Sequence, residues 1–536
     1  MNVIDRAIEM VSPKWAAKRV HDRAKLAILR EVANSGYSHH GASRTKTSTI
    51  SWFSSSKSPA EDITENHELL RERSRDLYYG GGSIGRGAIE RVTLNAVGPG
   101  LSLNCRIDAD FLGMGDDEAQ AWEDHVEREF GLWAESKECD VSRMQNFYEL
   151  QNLCFRSVLV NGDALALMPF RHVGHFPYDL RVALIESDLL GTPFGAHGGK
   201  VIDGGVELNA DNAPVAYHIA NRHPLAELPG QPKLEYKRIP AFGEKSGRRN
   251  VLHLMPFERI GQHRGVPFLA PVVESLKQLG RYTDAELMAA VIGGMYAIFF
   301  EHDKDEAEEG EEQYATDEDV GMPPGIPEGT NLMSMGYGAM MDLPAGVKPS
   351  TIAPNRPNQA FDPFVLSLCR QIGSCLGVPV ELLFLHFTSS YSASRGALLE
   401  AWKLFSYWRN WWATNFCQPI YVEWLHEAIL KGRVSAPGFF DDPMIAYAYS
   451  WAEWNGPTQG QLDPLKEVNA AAARVANGFS TRQRETMELT GGDWMLNHRQ
   501  RVKEERMRRE DGLLSETKNT ATEGGEAIAL GDNREE

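Results

Sequence analysis

Fourteen consecutive uncharged residues, LMAAVIGGMYAIFF between Glu286 and Glu301, constrain this chain more than any other feature. They fall short of the roughly 20 apolar residues that a membrane-spanning helix needs. They are also too apolar for the surface of a solitary soluble particle, which avoids large exposed apolar patches. A buried helix, tightly packed in an assembly, is the place left for them. Pro271 opens the segment, and proline suits a first helical turn because its missing N–H would lack a partner there. The pattern predicts one helix from Pro271 to about Phe300, with a close neighbour compensating for Gly293-Gly294.

Immediately afterwards the composition changes sign. Residues 301–320, EHDKDEAEEGEEQYATDEDV, hold eleven acids against Lys304, and a Pro/Gly-rich stretch, GMPPGIPEGTN, follows. Such a block is expected as an exposed insertion, not as core. Helical patterning dominates elsewhere. Residues 1–35 read as a basic amphipathic helix (Lys14, Lys18, Arg19, Arg23, Lys25 and Arg30 among Trp15, Val20 and Leu26), and residues 36–59 as a Ser/Thr-rich arm. Helices are predicted over 68–95, interrupted at Gly80–Gly82, then over 117–133, 144–160 and 361–376, the last ended by Gly377 and Pro379. After a loop over 382–396 comes one long helix, 393–431, whose Trp402, Phe405, Trp412 and Phe416 form a core stripe. Helices over 464–476 and 482–489 precede a basic one over 494–509, read either as a solvated helix with internal ion pairs or as a contact for DNA. A disordered acidic tail closes the chain.

Between Ala164 and His253 the period shortens. LALMPF (165–170), LRVALIES (180–187), PVAYHIA (214–220) and VLHLMPF (251–257) read as strands of a small mixed sheet. The fold class is α+β, mainly helical, and 536 residues suggest three or four domains.

A net charge of −19 argues against a protein that coats nucleic acid, yet suits a wall that DNA passes without sticking. The six cysteines include no C-x-x-C pair, so they are expected as buried free thiols in a reducing cytosol. The N-terminus has no signal-like apolar stretch, and the expectation is a soluble, intracellular protein.

Several fragments imitate catalytic motifs. GGGSIG (80–85) fits G-x-G-x-x-G, and within it GGSIG fits a G-x-S-x-G nucleophile elbow at Ser83. Both need a buried strand in front, and RERSRDLYY is charged and helical instead. His426-Glu427 opens an H-E-x-x-H pattern that fails at Leu430, leaving the pair on a solvated helix face. Gly199-Lys200 is followed by Val201, so no ATP-binding loop forms. No catalytic, cofactor or metal-binding residue is expected. The competing functions are a serine hydrolase built on Ser83 and a monomeric nucleic-acid-binding module.

Long blocks carry a resemblance. RIPAFGEKSGRRNVLHLMPFERIGQHRGVPFLAPVVESLKQLGRYTDAEL (238–287), FDPFVLSLCRQIGSCLGVPVELL (361–383), SYSASRGALLEAWKLF (390–405) and FCQPIYVEWLHEAIL (416–430) resemble portal proteins of the lambda phage family, as do residues 117–136, 139–165 and 462–481. The resemblance implies a ring, usually of twelve copies, at one vertex of a viral head, with wing, stem, clip and crown. On that pattern residues 1–60 are the basic helix and arm, 61–265 the wing, 266–300 the first stem helix, 301–355 the clip, 356–380 the second stem helix, 381–435 the tunnel loop and long wing helix, 436–510 the crown and 511–536 the tail. Met288, Val291, Met295 and Phe299 would pack the stem. Glu301, Asp303, Asp305, Glu306, Glu308, Glu309, Glu311 and Glu312 would form the acidic clip. Phe387, Thr388, Ser389, Ser390, Tyr391, Ser392 and Arg395 would face DNA in the tunnel loop, with Arg395 touching either a neighbour or a phosphate. Implied partners are double-stranded DNA, the terminase large subunit, a head–tail connector and capsid or scaffold protein, without a membrane. The implied location is the virion, with host cytoplasm during assembly.

Overall fold

A computed structural model describes residues 57–195, 201–226, 232–294, 298–302, 347–351, 358, 360–387, 390–460 and 464–511, with isolated positions between 14 and 48. Residues 1–62 form one compact unit and 63–536 another. In the first, the described positions between Lys14 and Leu26 are helical, as the basic pattern predicts.

The second unit opens with α1 (His67–Tyr79) and α2 (Ser83–Ala96), joined by the three glycines. α3 (Asp116–Ala134) and α4 (Phe147–Asn161) follow, each within a few residues of its expected place. Asn146 and Glu149 form a reciprocal capping box that fixes the start of α4. The predicted long helix is present in two parts: α8 (Tyr391–Trp412) and α9 (Gln418–Leu430), separated by a π turn over Ala413–Cys417. Pro419 supplies the reason, since it offers no N–H to the carbonyl four residues back.

These helices enclose an aromatic core. Phe147 stacks on Phe416 (5.8 Å between centroids) and Phe416 on Trp412 (4.5 Å), while Phe130 meets Trp424 edge-on at 5.1 Å. Trp133, Trp412 and Trp424 are fully buried. Each such ring removes about 150–250 Å² from water, which makes this cluster the main source of cohesion. Arg409 of α8 donates to the carbonyls of Asn95 and Ala96, closing the end of α2.

The expected mixed sheet is instead two antiparallel ones. β2 (Ala164–Leu167) lies between β3 (Ala183–Ile185) and β8 (Val251–Leu254). β4 (Val201–Asp203), β5 (Val206–Leu208), β6 (Pro214–Ala220) and β7 (Tyr236–Pro240) form a four-stranded meander. β4, β5 and β6 are joined by short turns, and strands so linked pair antiparallel, because parallel neighbours need a long crossover. A third pairing joins β1 (Ser102–Cys105) to β11 (Ala452–Asn455), which ties the chain's first third to its last.

The apolar run is also divided. α5 spans Val273–Gly294, and Ile298–His302 then forms β9, paired antiparallel with β10 (Val347–Thr351). The predicted continuous helix to Phe300 is therefore wrong: consecutive glycines weaken it, and Ile-Phe-Phe favours extended backbone. α6 (Phe361–Leu376) ends as expected at Gly377, whose φ of 70° is left-handed. α7 (Val380–Phe384) precedes α8, and α10 (Pro443–Ser450), α11 (Pro464–Ala476), α12 (Arg482–Thr490) and α13 (Trp494–Glu510) complete the order. Among the described residues, no helix is long and apolar enough to cross a membrane.

Candidate functional site

α5 and α6 lie against each other through aromatic contacts. Tyr282 stacks on Phe361 (5.6 Å) and meets Phe364 edge-on (4.9 Å), and Asn358 donates to Glu286 at 2.7 Å. Leu276 and Leu279 bury the first half of α5, and Lys277 reaches Asp76 of α1 at 3.4 Å. Further along, the cover ends. Leu287, Met288 and Val291 are 65%, 58% and 44% exposed, and Phe364 of α6 is exposed as well. Met288 and Val291 are open in the single chain. Fully burying each such side chain would be worth about 1.5–3 kcal/mol. Phe299 stands in β9 opposite Ser350, not in a helix, and Met295 lies outside the described residues.

The link from α7 to α8 is shorter than the predicted loop. Leu385 adopts a left-handed φ of 53°, and Phe384, Leu385 and Phe387 are exposed. Thr388 and Ser389 lie outside the described residues. Ser390 then caps α8, its hydroxyl accepting the Ala393 N–H at 3.4 Å. That cap places Tyr391, Ser392 and Arg395 in the first turns of the helix, which corrects the assignment of Tyr391 and Ser392 to a loop. Arg395 lies 3.9 Å from Glu467 of α11. Of the acidic block, Glu301 sits in β9 across from Lys348. Asp303, Asp305, Glu306, Glu308, Glu309, Glu311 and Glu312 lie outside the described residues.

Ser83 begins α2 directly after a helix, without the strand that an elbow requires. A cleft of about 260 Å³ adjoins it, lined by Asp76, Gly80–Gly85, Lys277, Arg281 and Asp284 among others, and no histidine lines it to act as base. His426 and Glu427 are not solvated as expected. His426 packs on Phe439 (5.1 Å), and burial pushes its pKa down. Glu427 is buried and accepts the N–H groups of Asp179 (2.5 Å) and Leu180 (2.9 Å), with Lys431 at 2.9 Å. Among the described residues, no group of three His, Cys, Asp or Glu is placed to hold a metal. Five cysteines are buried and free; Cys375 is free but exposed.

A polar cluster that sequence reasoning missed lies between α1 and the two sheets. Asp163 is wholly buried and accepts from Arg264 Nε (2.6 Å), the Gly265 N–H (3.1 Å) and the Ser187 hydroxyl. Arg264 also donates to the carbonyls of Leu190 (3.0 Å) and Gly204 (2.9 Å). Burial pushes the Asp163 carboxyl up, but the Arg264 charge beside it outweighs this and holds it well below the usual range. Alongside, Arg71 and Arg75 of α1 pair with Asp188. Closeness of two backbones makes the cluster possible: a Cβ on Gly265 would fall 1.9 Å from the Gly162 carbonyl oxygen. The available signal was a glycine beside each central charge, Gly162-Asp163 and Arg264-Gly265. The arrangement locks elements together, and His67, Arg71, Asp188 and Arg264 also line a cleft of about 250 Å³.

A family model described as "Phage portal protein, lambda family" matches residues 45–409. Portal protein B of Escherichia phage lambda is 25% identical over 504 residues, covering 90% of this chain and 92% of that protein. The portal protein of Escherichia phage N15 is 24% identical over 499 residues, with coverage of 90% and 92%. Among solved structures, a chain from the neck of a native GTA particle computed with C12 symmetry aligns with a TM-score of 0.40 at 13% identity, covering 79% of this chain and 93% of that one.

Proposed function

The chain belongs to the lambda family of phage portal proteins, and from that membership we propose that its copies close into a ring, expected to be a dodecamer, through which double-stranded DNA enters and leaves a viral head. The observation that carries the reading is the uncovered apolar face of Leu287, Met288, Val291 and Phe364. A head-to-tail contact between identical neighbours closes a ring when the rotation per copy divides the circle. In such a ring α5 and α6 are the stem, and the β9–β10 hairpin is the root of the clip. The link before α8 borders the channel, the helical and sheet body before α5 is the wing, and α10–α13 form the crown. An acidic clip, multiplied around the ring, would keep DNA phosphates weakly held and attract basic faces of the terminase and of a head–tail connector. Capsid or scaffold protein would seat the wing. The part is structural, with no catalytic step of its own.

Negative-stain images of the purified chain test this reading. Closed circles with a central hole are expected, and a double variant, Met288→Glu with Val291→Glu, should leave only open or single particles. Single particles from the unaltered chain at micromolar concentration would overturn it. Within assembled particles, Thr388→Ala with Ser389→Ala, which spares the Ser390 cap, should lower DNA retention without loss of rings, read as packaged DNA per particle.

A further inference from the structure

The last described helix, α13, is largely exposed beyond its first turns. Its first turns are tied to the body by Arg499, which pairs with Asp124 of α3; Trp494 stacks on His498 (4.9 Å) within the helix, and the Met495 N–H donates to Asp493 just before it. From Arg501 to Asp511 every residue except Glu505 is exposed. A helix that is polar on all sides persists through internal ion pairs or through a partner. Internal pairs account for little here. Arg508 lies 3.6 Å from Glu505, and Gln500 donates to Glu504 at 2.9 Å. Arg501, Lys503, Arg506 and Arg509 make no hydrogen bond or ion pair with any described residue. Unpaired cations gathered on one helix run against a chain whose net charge is −19.

At 3.6 residues per turn, Lys503 and Arg506 leave the helix on one side and Arg501 on the opposite side, with Arg509 between them. Cations on two opposed sides match a helix lying between two rows of phosphates, and the DNA major groove admits a helix. They do not match the flat face of an acidic protein. A protein contact would also need an apolar centre. Val502 and Met507 are exposed, but they stand on different faces. Guanidinium groups, here the majority, bind phosphate oxygens two at a time.

We infer that α13 is a DNA-binding element that grips the phosphate backbone of duplex DNA without reading sequence. In a closed ring it would form a cationic collar at the crown; the inference itself needs only the single chain.

Fluorescence anisotropy with the full chain and a labelled 30-base-pair duplex, titrated across KCl concentrations, tests it. The variant R501Q/K503Q/R506Q/R509Q is expected to bind at least ~10-fold more weakly at 50 mM salt, with the slope of log K against log salt reduced by about 3–4. The charge-preserving variant R501K/R506K/R509K should keep most of both. Unchanged affinity and slope in the glutamine variant would overturn the inference. So would binding to polyglutamate with none to the duplex. Negative-stain images of the glutamine variant separate the two proposals, because its rings should persist.

Discussion

A Cβ on Gly82 would lie 2.2 Å from the Leu77 carbonyl oxygen, and one on Gly80 would lie 2.6 Å from the Asp76 carbonyl oxygen. Gly81 between them has a φ of 99°. The three glycines that imitate a nucleotide- or serine-motif are thus a corner, bent so sharply that no side chain fits against the helix it leaves. Gly82→Ala should cost about 2 kcal/mol or more of stability, while Ser83→Ala should stay within about 0.5 kcal/mol, both read from denaturant midpoints. An equal loss at Ser83 would restore a role for that hydroxyl. His67 supplies a second prediction. Its Nδ1 accepts from Arg71 at 3.3 Å, so its own N–H is on Nε2, facing Asp163 at 3.7 Å. Burial lowers its pKa to about 4, against an ordinary 6.5. The folded form thus resists a proton that the unfolded chain accepts readily. Its contribution is complete above pH 6.5 and disappears as pH falls toward 4. The apparent melting temperature should fall across that interval, and His67→Gln should fall less steeply.

At the scale of elements, the Asp163–Arg264 cluster holds α1, the end of α4, and both sheets in one block. Arg264→Met would leave a buried carboxylate without its partner, at a cost of about 3–5 kcal/mol. Adding Asp163→Leu should recover part of that loss, which a double-mutant cycle in urea would measure. This cluster was not legible in the sequence, because its members come from positions as separated as 67, 163, 187 and 264, and only folding brings them together. Helices were legible where apolar period and terminal signal agree, as at Gly377. An apolar run without period gives no such guidance. That is why residues 287–300 were read as one helix although they continue into a strand. β4 and β5 were missed although Gly204 and Gly205, with φ of 56° and 92°, form the kind of two-residue turn that joins hairpin strands. α8 begins two residues before the expected Ala393, because the Ser390 hydroxyl caps it inside a run of serines that reads as loop. Of the candidate site, the apolar end of α5 was legible from its composition; its division into helix and strand was not.

Across the whole molecule, stability divides between an aromatic interior that each chain completes alone and an apolar face on α5 and α6 that it leaves open. Whatever binds the folded form through that face raises its melting temperature by mass action. The apparent melting temperature of the unaltered chain should therefore rise with protein concentration, and that of the Met288→Glu, Val291→Glu pair should not. Equal, concentration-independent values would mean that the face stays open in solution. The β9–β10 hairpin carries a different implication. Val347 stands directly across from His302, so the polypeptide comes back beside the point it left. A span tethered in this way at adjoining positions can lengthen at little thermodynamic expense, about 0.6 kcal/mol for each doubling. Changes of length between positions 303 and 346 should therefore leave the β9–β10 register and the melting temperature nearly unchanged.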